Sequence, residues 1–193
     1  MLVGAWLLWL GQVGWAADGM PPSFDDDLWA ELDRMPPRWS SELAFSVGFG
    51  EVSGWQTQVP PWLVFGFRSG WGNHFGADRQ QRLGGSVGVF MEGPFPEYAA
   101  IALDPQATWD GVFDGTWLGV AVGPSGILYT KSTITGSEFA AGWGATLAGR
   151  VGWSEPFSRA KRRTFIGLEP KLRYAEGEVG WGAAVIVGST HGH

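Results

Sequence analysis

The chain has 193 residues, including 31 Gly, 13 Trp and no Cys, with 17% charged residues and a net charge of −6. That length suits one domain with a sizeable core, and the acidic balance argues against a nucleic-acid binder, which is ordinarily basic. The absence of cysteine excludes disulfides, thiolate metal sites, a cysteine nucleophile and an N-terminal lipidated cysteine.

Residues 1–17, MLVGAWLLWLGQVGWAA, read as a secretory signal peptide with an apolar core from Leu2 to Leu10 and small residues, Gly14 and Ala16, at the cleavage positions. The stretch is too short for a membrane-spanning helix, which needs ~20 apolar residues, and no later segment reaches that length. Export without a helical anchor is expected. Residues 18–41 read as an N-terminal extension. Within it SFDDDLWAELDRM offers a capping Ser23, acids in the first turn, and Leu28, Trp29 and Leu32 on one face, which predicts a short amphipathic helix ended by Pro36-Pro37.

From residue 42 the chain alternates. ELAFSVGFGEV sets Leu43, Phe45, Val47 and Phe49 against Ala44, Ser46, Gly48 and Gly50. PWLVFGFRSGW and RLGGSVGVFME repeat the pattern, and further runs are expected near 97–103, 115–123, 127–135, 138–153, 163–174 and 178–189. In EFAAGWGATLAGRVGW (138–153) every bulky apolar residue is odd-numbered, and the even positions hold mostly Gly and Ala. Period-two alternation between Gly, Pro, Asn, Asp and Ser punctuation signals an all-β chain over residues 42–190. The last two runs predict a hairpin about Glu176-Gly177 that pairs Ile166 with Val187, Leu168 with Val185, Leu172 with Trp181 and Tyr174 with Val179. Pro170, which removes a ladder donor, predicts a bulge or an edge there.

The small face is too poor in Lys, Glu and Thr to be an ordinary solvated surface. Glycine is tolerated in strands where another group approaches closely, as in the lumen of a narrow barrel. There Arg68, Arg150, Glu169, Lys171 and Arg173 would form a charge network among small neighbours. The bulky face would meet hydrocarbon, with Trp71, Trp153, Tyr174 and Trp181 at the two interfaces. The expected fold is a single antiparallel up-and-down β-barrel of eight strands, ten being the second choice. The alternative is a soluble, lipocalin-like barrel with Phe45, Phe65, Phe67 and Trp143 turned inward around an apolar ligand.

These alternating, Gly- and aromatic-rich segments behind an export signal resemble small bacterial outer-membrane β-barrels, a broad class. The closing VGSTHGH departs from the C-terminal aromatic usual in that class. The resemblance implies a monomeric barrel in the outer membrane of a Gram-negative bacterium, in contact with lipid and lipopolysaccharide, inserted by the barrel-assembly machinery and serving a structural, interaction or minor transport role. Some eight-stranded members modify lipid A, which makes a lipid-modifying enzyme the second alternative.

Motifs for chemistry are sparse. His74 lies near Ser69 and Asp78 in what reads as a polar loop, a weak basis for nucleophilic catalysis. His191 and His193 fall in a tail expected to fray. Asp104, Asp110 and Asp114 bracket DPQATWDGVFD, which reads as a loop offering oxygens to calcium without EF-hand spacing. SRAKRRT carries Arg159, Lys161, Arg162 and Arg163 in an expected turn that either contacts anionic headgroups or is simply solvated. No phosphate-cradling loop, cofactor motif or metal set is present, and a non-enzymatic role is expected.

Overall fold

The computed structural model describes residues 37–50, 62–76, 79–93, 98–133, 136–158, 161–175 and 177–193. Eight antiparallel strands pair each with its sequence neighbour, and the last closes on the first. They are β1 (Trp39–Gly50), β2 (Trp62–Phe75), β3 (Gln81–Glu92), β4 (Tyr98–Phe113), β5 (Thr116–Thr133), β6 (Gly136–Ser154), β7 (Arg162–Ala175) and β8 (Glu178–Gly192). The start of β1, the finish of β8 and the strand ends Phe75 and Gln81, Phe113 and Thr116, and Ser154 and Arg162 share one end, the terminal end. The strand ends Gly50 and Trp62, Glu92 and Tyr98, Thr133 and Gly136, and Ala175 and Glu178 share the other, the far end. The expected signal peptide and the helix around 23–35 lie outside the described residues. β1 begins at Trp39, ahead of the expected start at 42, so the expected extension gives its last residues to the barrel.

The stagger of the strands sets the size of the barrel. Following pairs around it leads from Gly50 to Gly182, Lys171, Ala148, Ala121, Thr108, Gly84, Gly72 and finally Ser40, ten residues down β1 from the starting point. With a rise of ~3.3 Å per residue and a strand spacing of ~4.8 Å, that stagger tilts the strands by about 40°, inside the range of transmembrane barrels. Every position on this path is small except Lys171, which lies across the space that the others leave.

The nine expected runs become eight because two of them, 115–123 and 127–135, are one strand, β5. Pro124-Ser125-Gly126 reads as punctuation, yet Pro124, Ser125 and Gly126 continue the ladder opposite Ala145, Gly144 and Trp143 of β6. The DPQATWDGVFD segment is likewise strand, not loop, up to Phe113: it forms the second half of β4, and its last residue, Asp114, opens the turn that follows. Between β4 and β5 the register runs unshifted from Leu103↔Gly126 to Ala107↔Val122, which sets Pro105 opposite Pro124, where neither can donate. The two prolines cost each other no further ladder bond. Pro170 behaves the same way. The β6–β7 pairing stops at Ala148↔Lys171 and resumes at Val151↔Leu168 without a slip, so there is neither bulge nor edge, and the β7–β8 hairpin has the expected register along its length.

Two glycine positions show why the sequence closes so tightly. A Cβ on Gly144 would lie 1.9 Å from the Tyr174 carbonyl oxygen, so β6 and β7 can approach there only with glycine between them. At the β4–β5 turn Asp114 and Gly115 have φ of 49° and 80°, the left-handed pair that a two-residue hairpin requires.

Sidedness follows the alternation. Phe45, Leu147 and Val185 are 52%, 47% and 48% exposed on the outer surface, while Ala44, Ala121, Ala148 and Ile186 are buried. Phe65, Phe67 and Trp143 also face outward, so the interior is not the apolar ligand cavity of a lipocalin-like carrier. The small apolar clusters inside stand toward the two ends: Trp117 on Phe165 with Ala44 and Ile186, and Phe90 with Ile127, Ala100, Ala102 and Ala175.

Candidate functional site

Between those clusters the lumen is filled by charge. Inward positions on six strands deliver it, because alternation places Glu42, Arg68, Arg82, Asp104, Asp110, Arg150, Glu169, Lys171 and Arg173 on the same face as the glycines and alanines. Arg82 of β3 is held between two carboxylates, ion-paired to Glu42 of β1 and bonded to Asp110 of β4 from Nε at 3.1 Å and Nη2 at 2.9 Å. Trp117 donates its indole N–H to the other Asp110 oxygen at 3.1 Å. Glu169 of β7 has the inverse arrangement, one carboxylate between Arg68 of β2 and Arg150 of β6, the latter at 3.1 Å.

A third group lies toward the far end. Asp104 of β4 accepts from Lys171 and Arg173 of β7, each at 3.1 Å, and from the Ser125 hydroxyl at 2.6 Å. Arg173 also pairs with Glu92 of β3, and the Lys171 ammonium stands 3.1 Å from the centroid of the Phe90 ring. Gln106 donates to Thr146 at 3.0 Å in the same region. The ten groups named carry equal numbers of positive and negative charges. They tie β4 to β7 and β2 to β7 across the barrel, not merely along it. A pore needs water at its axis, and here the axis is occupied by ion pairs and ring edges.

The sequence-stated lumen residues thus divide between two groups: Arg68, Arg150 and Glu169 meet in one, Lys171 and Arg173 in another. Sequence reasoning missed their partners Glu42, Arg82, Glu92, Asp104 and Asp110. The available signal was parity, since each falls on the small face of its run, but Glu42 and Glu92 stand at run ends and the two aspartates in a segment that resembles a loop. Asp114, the third of the expected calcium set, is exposed in the β4–β5 turn, apart from the other two. Among the described residues no group of three or more His, Asp and Glu is arranged to hold a metal ion.

Of the basic cluster, Lys161 is exposed, Arg162 is half-buried at the start of β7, and Arg159 lies outside the described residues. Arg163 is turned into the lumen at 4% exposure, away from the outer surface. His74 is not in a loop. It is the penultimate residue of β2, buried, with Nε2 2.8 Å from the Ser40 hydroxyl and Nδ1 3.1 Å from the Arg79 carbonyl oxygen. Its partner is Ser40 across the β1–β2 pair, not Ser69, which faces outward. The carbonyl contact assigns the proton to Nδ1 and leaves Nε2 to accept from the hydroxyl. Ser40 is itself only 2% exposed, so this bond ties β1 and β2 together at the terminal end. His191 and His193 are not frayed: β8 runs through Gly192, His191 pairs with Ser41 and Arg162, and His193 donates its backbone N–H to the Trp39 carbonyl at 2.8 Å.

The outer surface is the second element of the site. Trp39, Trp71, Phe75, Phe113 and Trp153 ring the terminal end, and Phe49, Trp143, Tyr174 and Trp181 stand toward the far end, with Leu, Val, Ile and Phe between. From Trp39 to Phe49 along β1 is ten residues, which at ~3.3 Å each and a tilt of about 40° rise about 25 Å. That is the height of the apolar band of a membrane barrel.

No family model and no curated protein matches the chain. Solved structures do. Over 81% of this chain and 99% of the other, it superposes on Ail, the attachment invasion locus protein of Yersinia pestis, with a TM-score of 0.57 and 12% identity. Neisserial surface protein A gives a TM-score of 0.52 at 8% identity over 80% of this chain and 97% of its own. The N-terminal β-barrel domain of Pseudomonas aeruginosa OprF gives 0.50 at 12% identity over 77% and 96%. The chain therefore has the fold of small bacterial outer-membrane β-barrels, and it fits no single family within that class.

Proposed function

We propose that this protein is an outer-membrane barrel of a Gram-negative bacterium, sealed to solutes, whose role is to present its far end for contact with partners. The observation that carries the membrane reading is a belt of exposed Phe, Leu, Val, Ile and Trp about 25 Å tall on every strand of a barrel whose backbone is paired all round. In water such a belt would aggregate; in lipid it is the ordinary surface. The sealed lumen disfavours transport, and the fold shared with Ail, an attachment and invasion protein, favours interaction.

A specific feature supports interaction over a purely structural role. β5 and β6 stay paired to Thr133↔Gly136, but β7 joins β6 only from Gly144↔Ala175. Among the described residues no strand pairs with the other edge of β6 over 136–143, so the hairpin offers free backbone donors and acceptors. Membrane barrels carry their longer projections outside the cell, which puts this edge extracellular and the terminal end in the periplasm. Lys161 and Arg162 then face the phospholipid headgroups of the inner leaflet rather than lipopolysaccharide. Contact with the barrel-assembly machinery during insertion belongs to the same reading.

Fractionation tests it. The protein should pellet with outer membranes, need detergent for extraction, and migrate differently on gels before and after boiling, as a folded barrel does. Planar bilayers holding it should show no steady ion conductance. Recovery in the soluble periplasmic fraction without detergent would overturn the membrane reading, and a stable open channel would overturn the sealed one.

A further inference from the structure

Arg163 stands outside the balanced lumen network. Among the described residues, the ten other ionised lumen groups are each within ion-pair distance of an opposite charge, whereas the Arg163 guanidinium has no carboxylate within that distance and its Nε has no hydrogen-bond partner. A cation taken out of water needs a counter-charge or full hydrogen bonding. Its one described contact is the Phe157 ring, 4.8 Å from the guanidinium carbon, and a cation–π contact offsets part of that need. Phe157 is itself set by the His74 ring, edge-on at 5.4 Å, and by the β6–β7 connection. There Ser158 donates to the Arg162 carbonyl and Lys161 to the Ser158 carbonyl, both at 2.8 Å.

Arg163 also lines a cavity of about 400 Å³ at the terminal end, with Arg79, Ser154, Phe157 and, on its exposed rim, Asp114 and Glu155. That volume is within the ~300–1,000 Å³ range of small-molecule sites. A buried guanidinium that no described carboxylate pairs with directly, facing a cavity of this size, is a preformed site for a planar or tetrahedral oxyanion, which its fork of donors can take with two hydrogen bonds. We infer that the terminal-end cavity binds a small molecule bearing a carboxylate or phosphate group, with Arg163 as the ligand for that group. The ring of Phe157 forms one wall for the apolar part of the ligand. The rim carboxylates of Asp114 and Glu155 disfavour polyanions, so a singly charged group is the preferred guest.

The test follows the Arg163 Nε–H resonance in the full, folded barrel in detergent micelles, titrated with acetate and, separately, with inorganic phosphate at constant ionic strength in chloride. A saturable shift of that resonance with either probe is expected, and the stronger response tells which oxyanion the site prefers. Asp114→Asn, which removes a rim charge, should tighten the midpoint several-fold. Arg163→Gln should abolish the response of neighbouring amides at Ser154 and Phe157. No saturable shift with either probe would overturn the assignment, as would unchanged binding in folded Arg163→Gln or a midpoint insensitive to Asp114→Asn.

Discussion

Arg82 is the residue whose loss the barrel should feel most, because among the described residues it is the one ion-pair partner of two carboxylates, Glu42 and Asp110. Arg82→Leu leaves the buried Glu42 and Asp110 carboxylates without their shared cation, and stranding one member of a buried ion pair ordinarily costs about 3–5 kcal/mol. Urea unfolding in phospholipid vesicles should register a loss of that order, against less than about 0.5 kcal/mol for Lys161→Gln at the exposed connection. Equal effects would mean that the lumen network is solvated and contributes little. The outer face makes the complementary prediction. Val185→Arg, midway along β8, should cost about 2–4 kcal/mol in vesicles, while Trp39→Arg at the first residue of β1 should cost about 0–1 kcal/mol from the charge. In a protein whose exterior met water, the two would be alike. The single residue also shows how a local cue can mask a strand pattern. Arg163 sits in a run of basic residues that has every sign of a solvated turn, yet it shares the odd-numbered phase of Glu169, Lys171 and Arg173, and β7 turns it inward with them.

At the level of strands, pairing decides what is protected. Amides on the β5 side of β6 should exchange slowly from Gly136 to Ser154. On its other side, those over 136–143 should exchange within minutes and those from Gly144 onward should be protected by β7. Uniform protection of both sides up to residue 136 would mean that the hairpin edge is already covered, which would remove the proposed contact surface. Strand phase was legible in the sequence wherever bulky and small residues alternate cleanly. In β1, β3 and the β7–β8 hairpin the register follows from which slip would bury Leu and expose Gly. It was illegible in β4 and β5 because Asp104-Pro105, Pro124-Ser125-Gly126 and Asp110-Gly111 are turn chemistry by any local rule. Two prolines set opposite each other share one gap in the ladder, and that cancellation is a long-range fact that no local window contains. The acidic half of the lumen was hidden for the same reason: once 104–113 is taken for a loop, Asp104 and Asp110 are solvent carboxylates instead of the partners of Arg173 and Arg82.

At the largest scale the barrel is an inversion of a soluble one, with charge at its axis and apolar side chains at its surface. The ten-residue stagger fixes a lumen narrow enough that small residues on most inward positions leave room for a few long ones, and those long ones are paired in two triads and a group of four that span the barrel. A wider barrel would admit water along that axis, and a narrower one could not house Arg82 between Glu42 and Asp110. The cross-lumen ties from β7 to β2 and β4 imply that the barrel yields as one cooperative unit, so unfolding followed by Trp fluorescence and by gel migration should coincide. Each of these statements depends on which way the apolar face points. With no native cysteine, nitroxide labels can be placed singly at Phe45, Leu147 and Val185 in lipid-reconstituted protein, and their collision rates with oxygen and with a water-soluble nickel chelate compared. High oxygen access with nickel excluded at all three positions is the predicted result. Labels immobilised and shielded from both reagents would place these side chains in a protein core, and free access of nickel would place them in water; either contradicts the account.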